Sequence, residues 1–188
     1  MSSPQSRFIS RIPLERVAVL VGTGGRVKKE IEDRLGVSLK IDSREGIVEI
    51  TPKTEDSKNW DPVNLFKARD IVEAIGYGFS PDRALSLAQD DIVLAVIDLT
   101  NYTGKDKEDI TRIKARIIGS GGKTRRIIEE TAHVYVSVGR DTVAIIGYTR
   151  DVEAAKEAVE MLINGAPHSS VYRFLDSYAQ KRKFTRFY

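Results

Sequence analysis

The spacing of apolar residues in the first half of the chain alternates between the patterns typical of strands and of helices. Alternation over 7–12 predicts a strand, and two segments with helical spacing follow on either side of a glycine-rich turn. The apolar positions with helical spacing are Leu14, Val17 and Val21 before the turn, and Val27, Ile31 and Leu35 after it. Alternating runs at 37–42 and 47–51 and a helix capped by Asp61 complete the predicted order strand, helix, helix, strand, strand, helix.

The second half of the chain repeats this order of periods. Its predicted strands cover 92–99, 134–138 and 142–146. Two helices are predicted on either side of a second glycine-rich turn, and a third runs from a Thr149 cap to a stop at Gly165 and Pro167. The chain is therefore expected to contain two similar structural units.

These two series of elements define the expected domains. The first domain covers 6–79 and the second covers 91–165, each of the α+β class with the order β-α-α-β-β-α. A linker helix is predicted over 80–90, and a basic helical tail over 166–188, whose end alternates cations with aromatic residues. Those cations suit a solvated helix face as well as they suit an arm that binds RNA.

The two glycine-rich turns also match residue by residue. The first loop, Gly22 to Gly25, and the second loop, Gly119 to Gly122, begin 97 positions apart. At the same offset, Arg26 matches Lys123, and the pair Lys28-Lys29 matches Arg125-Arg126. Since loop, basic pair and following strand repeat together, the repeat is stronger than either motif alone.

Such a loop suits the binding of phosphate groups. Glycine lets the backbone approach a bulky partner, and the amides that open a helix attract anions. An ATP-binding loop ending in Gly122-Lys123-Thr124 would need its first glycine at Ile117 and a strand before it, whereas Ile110, Ile113 and Ile117 have helical spacing. The Gly-x-x-Gly loop of the KH fold, which holds single-stranded nucleic acid, fits both turns, and the predicted order is that of a type I KH domain.

Candidate RNA-binding residues surround the two loops. All charged residues between Arg112 and Ile128 are cations, which favours RNA at the second loop. Its predicted contacts are Gly119, Ser120, Gly121, Gly122, Lys123, Thr124, Arg125, Arg126, Arg116 and Ile118. Those of the first loop are Gly22, Thr23, Gly24, Gly25, Arg26, Lys28 and Lys29. The acids Glu30, Glu32 and Asp33 are expected to weaken the field of the first loop. Ile118, Val134 and Val136 could form an aliphatic groove for bases or belong to the core.

Composition limits the remaining functions. The chain has 188 residues, a net charge of +3 and no cysteine, which excludes disulfides, thiolate zinc sites and cysteine catalysis. His133 and His168 lack partners at ligand spacing, so no metal, cofactor or catalytic residue is predicted. Without a long apolar run or a signal-like start, we expect a cytoplasmic protein.

Three segments resemble one family, the archaeal and eukaryotic KH-domain small-subunit ribosome assembly factors called partner of Nob, with the related Krr-type proteins. They are AIGYGFSPDRAL at 74–85, RIIGSGGKTR at 116–125 and NGAPHSSVY at 164–172. Many KH proteins carry Ile at the third place after the second glycine, where this chain has Lys28 and Arg125.

The resemblance implies a ribosome biogenesis factor that is not an enzyme. It implies binding to single-stranded RNA near the 3′ end of small-subunit rRNA, beside the Nob nuclease and the dimethyltransferase of assembly. In eukaryotic relatives the first unit has usually lost its glycine loop and contacts protein, whereas the loop from Gly22 to Gly25 is intact here. A nucleotide hydrolase built on Gly122-Lys123-Thr124 and a protein-only adaptor with vestigial loops are the alternatives.

Overall fold

The computed structural model describes residues 7–53, 61–104 and 106–185, with no side-chain description for 184 and 185. The chain divides into two compact units, Met1–Asp90 and Asp91–Tyr188. Each unit contains its own three-stranded antiparallel sheet with helices packed against it. The predicted mixture of strands and helices is confirmed in both.

The first unit follows the predicted order of elements. They are β1 (Phe8–Arg11), α1 (Leu14–Val21), a 3-10 turn (Thr23–Gly25), α2 (Arg26–Leu35), β2 (Val37–Asp42), β3 (Ile47–Pro52), α3 (Val63–Gly76), α4 (Pro81–Leu85) and a second 3-10 turn (Ser86–Ala88). The strand order in the sheet is β1-β3-β2. Gly36 ends α2 in the left-handed conformation, and the Asp61 carboxylate accepts a hydrogen bond from the Val63 amide at 2.9 Å, as its capping position predicts.

The second unit repeats this order with one additional short helix, α5, after its first strand, and with a long helix, α9, in the place of α4. Its elements are β4 (Ile92–Asp98), α5 (Thr100–Thr103), α6 (Lys107–Ile118), a 3-10 turn (Ser120–Gly122), α7 (Lys123–Ala132), β5 (Tyr135–Val138), β6 (Thr142–Tyr148), α8 (Thr149–Ile163) and α9 (His168–Thr185). The strand order is β4-β6-β5. Asp106 caps α6, since its carboxylate accepts from the amides of Glu108 and Asp109. Thr149 is the first residue of α8 rather than its cap, so that predicted cap is wrong by one position.

Helix α9 is part of the core of the second unit. Val171 and Leu175 are both 0% exposed and belong to the same buried cluster as Ile128 and Val159. At its other end α9 is attached to α8 through Asp151, which is 2% exposed. The carboxylate of Asp151 accepts hydrogen bonds from the Tyr178 hydroxyl and, in bidentate fashion, from the Arg182 guanidinium. The helix predicted after Gly165 thus packs on the core of the second unit.

Candidate nucleic-acid interface

The two glycine loops have nearly the same backbone conformation. Gly22 and Gly119 have φ/ψ of 73°/170° and 71°/172°, and the last glycines, Gly25 and Gly122, have 78°/14° and 77°/15°. All of these φ values lie in the region that favours glycine. The repeat detected in the sequence is therefore also a repeat of loop geometry.

The glycines of the second loop serve two different purposes. A Cβ atom on Gly119 would lie 2.3 Å from Thr124 Oγ1, so close packing against α7 excludes a side chain there. A Cβ atom on Gly121 or Gly122 would meet nothing within 4 Å. Gly121 and Ser120 are exposed. The tip of the loop thus presents uncovered backbone that a bulky partner can approach.

Two cations lie at the tip of the second loop. Lys123 is exposed at the first position of α7, directly after Gly122. Arg126 Nη2 donates to the carbonyl oxygen of Gly121 at 3.0 Å, which holds the guanidinium beside the loop. Because the N-terminus of α7 adds partial positive charge, this part of the surface favours an anion.

Lys28 and Arg125, which stand at the third place after the last loop glycine, each have a protein partner. Arg125 Nε lies 3.9 Å from Glu129 Oε2, and Lys28 Nζ lies 3.9 Å from Glu32 Oε1. Each glutamate also accepts a hydrogen bond of 2.8 Å from a strand amide, that of Val136 for Glu129 and that of Leu39 for Glu32. The cation therefore lies over a carboxylate that links the helix to the neighbouring strand.

Arg116 is directed at protein carbonyls rather than at the loop tip. Its Nε donates to Leu162 O at 3.1 Å and its Nη2 to Ala166 O at 2.5 Å, at the C-terminal end of α8. In the first unit Arg16 donates to Ile75 O and Phe79 O in the same way. The sequence predicts Arg116 as an RNA contact, whereas in the structure its guanidinium donates to carbonyl oxygens at the end of α8.

Three other residues considered for RNA contact are buried in the protein. Thr124 is 2% exposed, and its Oγ1 shares a hydrogen bond of 2.9 Å with the Tyr172 hydroxyl. Val134 and Val136, proposed for an aliphatic groove, are 4% and 2% exposed and belong to the core. Ile118 is half-buried. Sequence spacing could not separate these positions, because their partners lie far along the chain.

The charge difference between the loops is smaller than the sequence suggested. Glu30 is paired with Arg34 at 2.6 Å, and Asp33 with Lys53 at 3.0 Å. At the repeat offset Glu32 and Asp33 both correspond to acids, and only Glu30 corresponds to an apolar residue, Ile127. Arg26 and Lys29 of the first unit are exposed, like Lys123 and Arg126 of the second.

A nucleotide-binding loop does not fit the structure around the second loop. The loop is preceded by α6, with Ile110, Ile113 and Ile117 facing the core, where a phosphate-binding loop of that kind requires a strand. Among the described residues there is no group of three or more His, Asp or Glu that could hold a metal ion. In the same ranges no helix is both long and apolar enough to cross a membrane.

The sequence is similar to those of known proteins. Residues 93–180 match a family model described as a eukaryotic-type KH domain, KH-domain type I, of PNO1. A KH domain-containing protein of Methanocaldococcus jannaschii is 50% identical over 179 residues, which are 95% of this chain and 77% of that protein. The pre-rRNA-processing protein pno1 of Schizosaccharomyces pombe is 27% identical, over 97% of this chain and 74% of that protein. This chain belongs to the PNO1/Dim2 family of KH-domain ribosome assembly factors.

A solved structure supports this membership. Dim2p of Pyrococcus horikoshii, in a complex with a/eIF2α and rRNA, is 45% identical, with a TM-score of 0.84 over 94% of this chain and 96% of that one. At that identity the likeness extends to the sequence as well as to the fold. That structure and this chain therefore share the arrangement of strands and helices.

Proposed function

We propose that this PNO1/Dim2 family protein binds single-stranded RNA near the 3′ end of small-subunit rRNA through its second glycine loop. In that position it recruits or restrains the enzymes that process the RNA, the Nob nuclease being the expected partner. One observation carries the proposal: the backbone of Ser120 and Gly121 is exposed beside the cations Lys123 and Arg126. A KH loop holds nucleic-acid backbone in this manner.

The first unit is proposed as a second KH domain. It has the same order of elements, the same strand order and the same loop conformation as the unit that the family model matches. Its loop is therefore intact rather than vestigial, which argues against a protein-only adaptor. Because Glu30 lies beside the first loop, where Ile127 lies in the second, we give the second loop the larger share of the RNA affinity.

Pairs of aspartates in the loops test this proposal. Ser120→Asp with Gly121→Asp places two negative charges where phosphate is expected, and Thr23→Asp with Gly24→Asp does the same in the first loop. Aspartate tolerates the left-handed conformation better than most residues, and a Cβ at Gly24 or Gly121 meets nothing within 4 Å. Matched asparagine pairs have the same shape without the charge and serve as controls.

The measurement is fluorescence anisotropy with a labelled single strand from the 3′ end of the source organism's small-subunit rRNA. We expect the second-loop aspartate pair to lose more than about tenfold in affinity and the first-loop pair to lose less, because each carboxylate repels phosphate at short range. The asparagine pairs should stay near wild type. Affinity should fall with added salt, and a duplex of the same sequence should bind more weakly. Equal losses in aspartate and asparagine pairs, or equal binding of duplex, would contradict the proposal.

A further inference from the structure

We infer that helix α9 positions the RNA-binding loop of the second unit, with Tyr172 as the positioning residue, an inference that rests on the function proposed above. Tyr172 and Thr124 form what we call the hydroxyl pair, with 2.9 Å between their oxygens. Thr124 lies directly against the first glycine of the loop, since a Cβ on Gly119 would be 2.3 Å from Thr124 Oγ1. The buried side chain of Thr124 thus connects α9 to the loop.

The other side of the loop is attached to the same turn of α9. His168 Nε2 lies 3.0 Å from the carbonyl oxygen of Arg116, three residues before Gly119. The rings of His168 and Tyr172 are in contact, with centroids 6.1 Å apart. The Arg116 guanidinium in turn binds Ala166 O, just before α9 begins. The end of α6 and the start of α7 are therefore both fixed to the first turn of α9.

Helix α9 is held near both ends by burial and by hydrogen bonds. Its Val171 and Leu175 side chains are fully buried in the core of the second unit. The Asp151 carboxylate binds Tyr178 and Arg182 near its other end. A helix fixed at both ends can hold the hydroxyl pair in one geometry.

Among the residues that the structure describes in the first unit, no such arrangement lies beside the loop. Val27 stands where the second unit has Thr124, so the hydroxyl is absent at that position. The helix that follows α3 is α4, which has only five residues. An open cavity of about 630 Å³ lies beside the loop, between Val27 and the start of α4 at Pro81. A loop that is fixed before binding loses less freedom when it binds, so the second loop should bind RNA with a smaller ordering cost.

Removal of single hydroxyl groups tests the inference. Tyr172→Phe and Thr124→Val each break the hydroxyl pair, and valine is already accommodated at the matching position, Val27. Tyr178→Phe is the matched control on the same helix, because it removes a tyrosine hydroxyl that binds Asp151 and is not in contact with the loop. Binding to the labelled rRNA strand and hydrogen exchange of the amides 119–122 are measured for each variant, together with stability in urea.

We expect Tyr172→Phe to weaken RNA binding about three- to tenfold and to speed exchange in the loop. Thr124→Val should have the same effects. The double variant should bind RNA no more weakly than either single variant, because both changes remove the same hydrogen bond. Tyr178→Phe should lower stability while affinity and loop exchange stay unchanged. If Tyr172→Phe only lowers stability, as its control does, Tyr172 is structural and the inference is wrong. If the aspartate pairs show that the loop binds no RNA, loop exchange still decides whether Tyr172 holds the loop.

Discussion

The buried carboxylate of Asp151 allows a quantitative prediction of stability. Asp151→Asn keeps the volume of the side chain and removes its charge, which is bound by three hydrogen bonds from Tyr178 and Arg182. Breaking a buried ion pair by removing one partner costs about 3–5 kcal/mol. The Arg182 side chain is 21% exposed and can recover some hydration, so the cost should lie near the lower limit, about 3 kcal/mol.

Urea unfolding followed by far-ultraviolet circular dichroism measures this loss. With a urea dependence of about 1–3 kcal/mol per molar, the unfolding midpoint of the second unit should fall by about 1–3 M. Asp176→Asn, on the exposed side of α9, makes the same change of charge without touching the network and should leave the midpoint nearly unchanged.

The reasoning is refuted if the two asparagine variants unfold at the same urea concentration. That result would mean that the cost of burying the carboxylate cancels its three hydrogen bonds, as happens for some buried pairs. In that case the hydrogen bonds to Asp151 would add nothing to the stability that the burial of Val171 and Leu175 supplies.

Two further predictions concern a glycine and a tyrosine. Gly119→Ala should destabilise the second unit more than Gly121→Ala, because a Cβ at Gly119 would overlap Thr124. For Gly121→Ala we expect a loss of about 1–2 kcal/mol in the free energy of unfolding, since a Cβ there has free space and only the positive φ is unfavourable. Similar urea midpoints for the two variants would argue against the packing described for Gly119. Burial, followed by the hydrogen bond to Asp151, raises the pKa of Tyr178 to about 12, so its contribution to stability is full below about pH 10 and is lost as the pH rises through about 12. The wild type should therefore lose more stability than Tyr178→Phe between these pH values, and parallel urea midpoints for the two proteins would contradict the shift.

The order of elements was predictable because it depends on local patterns. Alternation in β2 and β5, the helical spacing around Ile31 and Ile128, and glycines with positive φ are all readable within a few residues. The repeat of the loops followed from the same local signals. Both units consequently have the predicted succession of strands and helices.

The roles of individual site residues depended on distant partners and were less predictable. Arg116 binds carbonyls 46 and 50 positions away, and Thr124 binds Tyr172, 48 positions away. Charge and proximity to a glycine loop therefore placed both among the RNA contacts. The segment after Gly165 is predicted as a helix from local spacing, whereas the surface on which Val171 and Leu175 are buried is formed by residues far along the chain.

The arginines that bind the ends of α3 and α8 limit which segments can be exchanged between the two units. Ile75 and Phe79 correspond to Leu162 and Ala166 at one constant offset, yet Arg16 and Arg116 come from different turns of the preceding helix. In each unit a guanidinium donates to the carbonyls at the helix end, while the position of the arginine along the sequence differs between the copies. A hybrid protein that receives α6 in place of α1 would therefore keep one guanidinium at the helix end, whereas the single change Val19→Arg would crowd two cations there.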